Sequence, residues 1–447
     1  MERKNILIMG AAGRDYENFL IYFKDNPLYN VVCFTQAQIP GIEKRKFPKE
    51  LAGRLYKHDI PFYPEEKLPE LIKKFKVDTI YLAYSDLSHQ EVMTKASIVL
   101  SNGANFALLG TNATYLKSKK LVISVTAVRT GIGKSRITKK VALYLKNKNY
   151  KVVVVRHPMP YGDLRKEEVQ MFYNYQDLVK ANVTIEEHEE YDQYIKNNIP
   201  IFAGVNYAKI LKEAEKKADV ILWDGGNNDW SFFKPDLNIV LVDPRRAGHE
   251  LIYYPGQVNL RMADIVLIHK MLGTTKGNLD ILHNNIIKVN KKAKVIEANS
   301  LVVCKNPEEI KGKKVLLIGD GPTLTHGGMR YGIANAAAKI YHAKEIVDAE
   351  KYAVGSIKET YKKFPHLKKI LPAMGYNKKQ IYDLQKTINN AKCDLVLDGS
   401  PFDIKKLFNI NKKVLYVDYD IDENDLKPLF NEIDKLLKWK IYFPLMI

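Results

Sequence analysis

The run Thr126-Ala-Val-Arg-Thr-Gly-Ile-Gly-Lys-Ser135 constrains this chain more than any other. The apolar stretch Leu121-Val-Ile-Ser-Val-Thr126 leads into it, and a helical pattern over Lys134–Asn147 leads out. Strand, glycine turn and helix in that order predict a loop whose backbone N–H groups curl around an anion. The helix N-terminus adds its partial positive charge to the same place. A strand this apolar needs cover on both faces, as strands of parallel sheets have.

Strand–helix alternation runs along most of the chain. Strand patterns at Lys4–Met9, Tyr29–Thr35 and Thr79–Ala83 alternate with helical ones at Tyr16–Asp25, Leu68–Lys76 and Ser88–Asn102. The first turn carries Gly10-x-x-Gly13, a dinucleotide-type turn with Tyr16 in place of the third glycine. Those glycines serve either a bound dinucleotide or only the tight turn. Beyond the basic stretch Lys117–Lys120 the alternation restarts at Leu121. With 447 residues the chain exceeds the ~250–300 at which one core stops growing. The expectation is an α/β protein with a Rossmann-like parallel-sheet domain over 1–120 and a phosphate-loop core over 121–300. A C-terminal α/β part covers 301–447, and whether it continues the core stays open.

Against the pattern G-x-x-x-x-G-K-[ST], Gly133, Lys134 and Ser135 match the end, and Val128 replaces the first glycine. The T-G-x-G-K-S form resembles the loops of the dethiobiotin synthetase and ParA-like branch of P-loop NTPases. That resemblance implies a nucleotide held by Thr130, Gly131, Ile132, Gly133, Lys134, Ser135 and Arg136. Lys134 would bridge the β and γ phosphates and Ser135 would ligate Mg²⁺. Arg129 falls where ParA-like loops carry a signature lysine, and so faces phosphate in this reading. A second element agrees. Val220–Trp223 is an apolar strand ending in Asp224, followed by Gly225, Gly226, Asn227, Asn228 and Asp229. A carboxylate there suits Mg²⁺, and the two glycines suit a close γ-phosphate. Asn227 and Asn228 lie at a strand's carboxyl end, where open α/β sheets bind ligands.

Three further loops follow strands. Arg156-His157 through Asp163 offers an anion site and a further metal ligand in Asp163, or is a Pro-stiffened turn with solvated charges. Arg245 and Arg246 suit phosphate recognition, or are two surface arginines. Gly319–Met329 is rich in glycine and hydroxyls and contains His326, a candidate general base or a hydrogen-bonding loop residue. The guanine-reading pattern N-K-x-D is matched only by His269-Lys270-Met271-Leu272, so ATP is favoured, with GTP the alternative.

Lys and Arg number 70 against 51 Asp and Glu, a net +19. The basic residues are scattered and form no tail, so an anionic small molecule is favoured over nucleic acid. No apolar run approaches the ~20 residues of a membrane span. Three Cys without metal spacing favour a reducing, cytoplasmic setting. Oligomeric state is unreadable, a homodimer being the commonest outcome. Asp15, Ser85, Asp86 and His89 lie at predicted strand ends of the N-terminal domain.

The motifs together resemble one family. They are G-A-A-G-R-D at 10–15, Q-I-P-G at 38–41, A-V-R-T-G-I-G-K-S at 127–135 and R-H-P-M-P-Y-G-D-L at 156–164. W-D-G-G-N-N-D at 223–229, G-P-T-L-T-H-G-G-M at 321–329 and L-P-A-M-G-Y at 371–376 complete the set. The chain looks like the predicted P-loop GTPases commonly labelled cyclic 2,3-diphosphoglycerate synthetase. The resemblance implies an Mg-ATP-dependent ligase that phosphorylates 2,3-diphosphoglycerate and closes an intramolecular phosphoanhydride. Arg156, His157, Asn227, Asn228, Arg245 and Arg246 would hold the substrate. Lys134, Asp224, Arg129 and His326 would carry the chemistry. A nucleotide-driven switch or chaperone is the competing expectation, and a nucleic-acid-binding ATPase ranks last.

Overall fold

A computed structural model describes residues 2–10, 13–37, 45–157, 162–269, 273–325, 328–373, 378–400, 404–407 and 409–442. Two compact units divide the chain. One comprises Met1–Ile268, Lys276–Ile296 and Pro428–Ile447; the other comprises His269–Thr275 and Glu297–Lys427.

The first unit contains two large sheets. The N-terminal sheet is built from β1 (Lys4–Met9), β2 (Tyr29–Gln36), β3 (Lys46–Phe47), β4 (Ile60–Pro64), β5 (Thr79–Leu82) and β6 (Asn105–Ala107). Its order is β3-β4-β2-β1-β5-β6. All its pairs are parallel except β3 with β4. The four residues Ile6–Met9 of the central β1 are fully buried, which is why that run is continuously apolar. The sequence pattern predicts one helix over Tyr16–Asp25. The structure has an α-helix over Arg14–Asn18 that widens into a π-turn over Phe19–Phe23. The wider turn sets Phe19 against Phe47 and Phe23 against Tyr81. Ser88 and Glu91 form a reciprocal capping box that starts the helix His89–Ser101.

The second sheet of this unit holds β7 (Leu121–Ala127), β8 (Val152–Arg156), β9 (Gln170–Phe172), β10 (Ile201–Ala203) and β11 (Val220–Asp224). It continues with β12 (Leu237–Val242), β13 (Ile265–Ile268) and β14 (Lys294–Glu297). The order is β9-β10-β8-β11-β7-β12-β13-β14. Pairing is parallel from β10 to β13. All seven residues of β7 are buried, between β11 and β12. Its polar Ser124 is satisfied sideways, donating to Asn238 Oδ1 at 2.7 Å. The helix Lys427–Tyr442 returns to this unit from Pro428 onward. Phe430 stacks on Tyr144 with centroids 4.1 Å apart. Lys148 pairs with Asp434 and Lys294 with Glu432.

The second unit carries its own sheet of β15 (Ser300–Cys304), β16 (Lys314–Asp320), β17 (Glu345–Ile346), β18 (Ile370–Ala373), β19 (Leu395–Gly399) and β20 (Val414–Ile421). Its path is β15-β20-β19-β16-β17, with β18 also pairing with β16. Val315–Ile318 and Leu395–Leu397 form its core with helix Ile333–Ile340.

Candidate active site

The loop after β7 turns where glycine is required. Gly131 has φ 76° and Gly133 φ 106°, in the left-handed region that side chains avoid. Gly133 precedes the first turn of helix Lys134–Asn147. Strand order places β11 directly beside β7, with Asp224 in register with Val125. Gly225 N–H donates to Val125 O at 3.1 Å, so the segment after Asp224 lies against the loop. Lys134 Nζ donates to the carbonyl of Asn227. Thr130 Oγ1 lies 3.4 Å from Asn227 Oδ1. Ile132 is fully buried and Arg136 continues the helix after Ser135.

Asp224 is fully buried and heavily engaged. It accepts from Tyr194 OH at 2.8 Å and Thr138 Oγ1 at 3.2 Å, and Arg156 Nη1 lies 3.0 Å away. The same Nη1 donates to Ser135 Oγ at 3.3 Å and Gly225 O at 3.2 Å. Arg156 also forks onto the carboxylate of Glu190. Burial works against the Arg156 charge, yet Glu190 and Asp224 outweigh it and raise its pKa. Burial, then Arg156, push Lys134 down to about 8, with Asp224 opposing.

Ser135 and Asp224 are hydroxyl and carboxylate donors of the kind Mg²⁺ takes. In this arrangement the ion does not fit between them, because a guanidinium nitrogen lies within 3.3 Å of both. Asp163 lies apart. It is exposed, accepts from Arg165 N–H at 3.0 Å and pairs with Arg165 at 3.7 Å. Among the described residues no group of three or more His, Cys, Asp or Glu is arranged to hold a metal.

The N-terminal sheet's carboxyl edge meets this loop. Asn227 Nδ2 donates to Ser85 Oγ at 3.3 Å, and Asp86 N–H to Asn228 Oδ1 at 2.7 Å. Asn228 is fully buried and donates to Val128 O at 3.0 Å, while Asn259 ties Ala127 O to Asn228 O. Arg129 pairs with Asp86 at 2.8 Å and lies 3.5 Å over the Tyr253 ring. Burial, with Arg129 and Arg246, lowers His249 to about 4, so the neutral ring accepts from Arg129 Nη1 at 3.0 Å. Arg129 is thus held within its own chain. Arg14 pairs with Asp229, which also faces His157 Nε2 at 3.2 Å. A Cβ on Gly226 would strike the His157 ring at 2.6 Å, so glycine lets the two meet. Arg245 and Arg246 both pair with Asp243, and Arg246 Nη1 donates to Thr130 O at 3.1 Å. Asp15 accepts from Gly13 N–H at 2.6 Å and shapes the first turn. His89 is the first residue of its helix, after the Ser88 cap.

His326 lies outside the described residues, as do 11–12, 38–41, 158–161, 270–272, 327 and 374–376 of the motifs quoted above. His269 is buried in the second unit beside Tyr419. Sequence reasoning missed Glu190, Tyr194, Asp243, His249 and Tyr253, whose spacing to the loop carries no signal. Arg14 was legible only as the residue after a glycine turn.

No family model matches the chain. Arginine synthetase ArcE from Thermococcus kodakarensis is 54% identical over 422 residues, covering 94% of each chain. The chain belongs to the ArcE family. Kinship with a synthetase and the phosphate loop together make this member a nucleotide-dependent ligase. Among solved structures, LpxK from Aquifex aeolicus in complex with ATP is 14% identical, covers 77% of this chain and 95% of its own, and has a TM-score of 0.43. A ParA family ATPase from Chlorobium tepidum TLS is 18% identical, covers 40% and 85%, and has a TM-score of 0.24. Likenesses this low carry no argument. The P-loop fold of this family member rests on its own loop and strand order. No helix among the described residues is long and apolar enough to cross a membrane.

Proposed function

We propose that the protein forms arginine from citrulline and ammonia at the expense of ATP. A synthetase that yields arginine itself must make the last guanidinium C–N bond, and only ammonia leaves nothing else on the product. Lys134 and the loop amides hold the β and γ phosphates, and the γ-phosphoryl group passes to the ureido oxygen. Ammonia then adds to the ureido carbon and that C–O bond breaks. The ureido oxygen departs in inorganic phosphate, which also takes the proton lost by nitrogen. Such chemistry needs positioning and charge neutralisation more than covalent catalysis. In this reading His157 and Asn227, beside the loop, orient the acceptor.

One observation carries the choice of acceptor. Arg14, Arg129, Arg156, Arg245 and Arg246 each face a carboxylate of the protein. A site so balanced suits a zwitterion with a neutral ureido end better than a polyanion. The second reading is ring closure on 2,3-diphosphoglycerate, which the motif resemblance along the chain favours. It uses the same first half-reaction, with Arg156, Arg245 and Arg246 exchanging carboxylates for phosphates.

The test is incubation with ATP, ammonium and ureido-¹⁸O citrulline. Arginine and ¹⁸O-labelled phosphate in equal amounts are expected. Cyclic 2,3-diphosphoglycerate from the parallel incubation, with no arginine, would overturn the first reading in favour of the second. Replacing ATP by GTP in the same assay sets the nucleotide.

A further inference from the structure

We propose that Arg14 and Glu17 form a site for the head group of an α-amino acid, Arg14 taking the carboxylate and Glu17 the ammonium. The proposal deepens the reading above and rests on its claim that the acceptor is an amino acid.

The two residues stand three apart on the helix Arg14–Asn18, so they share one face. Both are buried: the Arg14 side chain is 4% exposed and Glu17 0%. Arg14 is fixed from two sides. Its Nε pairs with Asp229, its Nη2 donates to Trp230 O at 2.8 Å, and its guanidinium lies 4.1 Å over the Trp230 ring. That leaves Nη1 buried with no hydrogen-bond partner. Both carboxyl oxygens of Glu17 are likewise buried and unpartnered. Buried polar atoms are normally satisfied, and those that are not call for an explanation. Here one donor and two acceptors, on charges of opposite sign, stand about one turn apart on the same helix face. That is the complement of an ammonium and a carboxylate on one carbon. Burial pushes Glu17 up to about 8 with Arg14 only partly offsetting it, so the carboxyl wants a cation.

Position agrees with chemistry. Asp229, which anchors Arg14, is two residues beyond Asn227, whose carbonyl accepts from Lys134 Nζ. Two residues span at most about 7 Å of chain. An amino acid gripped at Arg14 therefore presents the end of a side chain of citrulline's length near the phosphate-holding lysine. The Rossmann-like domain then serves the acceptor rather than a second nucleotide.

The experiment compares L-citrulline with 5-ureidopentanoate, which lacks only the α-amino group. Wild type should prefer citrulline, and Glu17→Gln should raise the citrulline KM at least tenfold while leaving 5-ureidopentanoate and ATP affinity unchanged. Glu17→Asp, with its carboxylate retained, should fall between, and covers the case that Glu17→Gln misfolds. Unaltered discrimination in Glu17→Gln would overturn the proposal. Thermal stabilisation by L-ornithine and L-arginine, read without turnover, separates the two claims. If wild type makes no arginine but these amino acids stabilise it and not Glu17→Gln, the head-group site stands and the ureido reading falls. If no amino acid stabilises wild type, the site itself is overturned.

Discussion

Lys134 titrates near 8 because it is buried beside Arg156. A triphosphate needs its charged form, so nucleotide affinity should fall about tenfold per pH unit above 8. Calorimetric titrations at pH 7, 8 and 9 check this; a flat affinity would remove Lys134 from the phosphate contacts. Glu17 behaves in the opposite sense. Its folded pKa of about 8 lies above the ordinary carboxyl value. Below that ordinary value both states hold the proton and nothing is lost. As pH rises from that value towards 8, the unfolded state ionises while the folded state keeps its proton, so stability falls, and above 8 the loss is complete. Glu17→Gln should therefore melt higher than wild type, with a margin growing from pH 5 to pH 8, on the order of a few kcal/mol at the upper end. Arg156→Ala does the reverse, leaving buried Asp224 without its cation. A loss of about 3–5 kcal/mol is expected in urea unfolding.

At the scale of elements, what could be read from the chain was whatever is local. The strand Leu121–Ala127, the glycines at 131 and 133 and the helix from Lys134 are consecutive, so spacing alone announces them. Asp224 was legible because it ends an apolar strand. The partners of the arginines were not. Arg14 meets Asp229 and Arg129 meets Asp86 across long stretches of chain, and nothing local marks such pairs. Nor did spacing show that Arg156 stands between Ser135 and Asp224, since that follows from β8 lying next to β11. The π-turn was hidden too, because a helical period looks alike in both forms. One close approach between elements makes a prediction. A Cβ on Gly256, which opens the helix Gly256–Met262, would sit 2.0 Å from Val128 O. Gly256→Ala should push on the loop itself, costing about 1–3 kcal/mol in thermal stability and weakening nucleotide binding. A variant with wild-type melting and affinity would show that the helix yields instead.

For the whole molecule, the decisive feature is that the first unit is not contiguous. Residues Glu297–Lys427 belong to the second unit, and the chain then comes back to finish the first with its last helix. Removing residues after 427 should thus lower the stability of the phosphate-loop unit, through the loss of Phe430 from Tyr144 and Asp434 from Lys148. Hydrogen exchange resolved by peptide reads this directly. Faster exchange in the Lys134–Asn147 helix is expected, and unchanged protection there would show the last helix to be dispensable.

That returning helix also sets an order of events during synthesis. The phosphate loop leaves the ribosome before the second unit, whereas the segment that braces its helix emerges after it. Until that helix is made, a nascent chain has the loop but lacks one of its supports. Premature termination anywhere in the second unit therefore yields a loop without its brace, a product for quality control to remove.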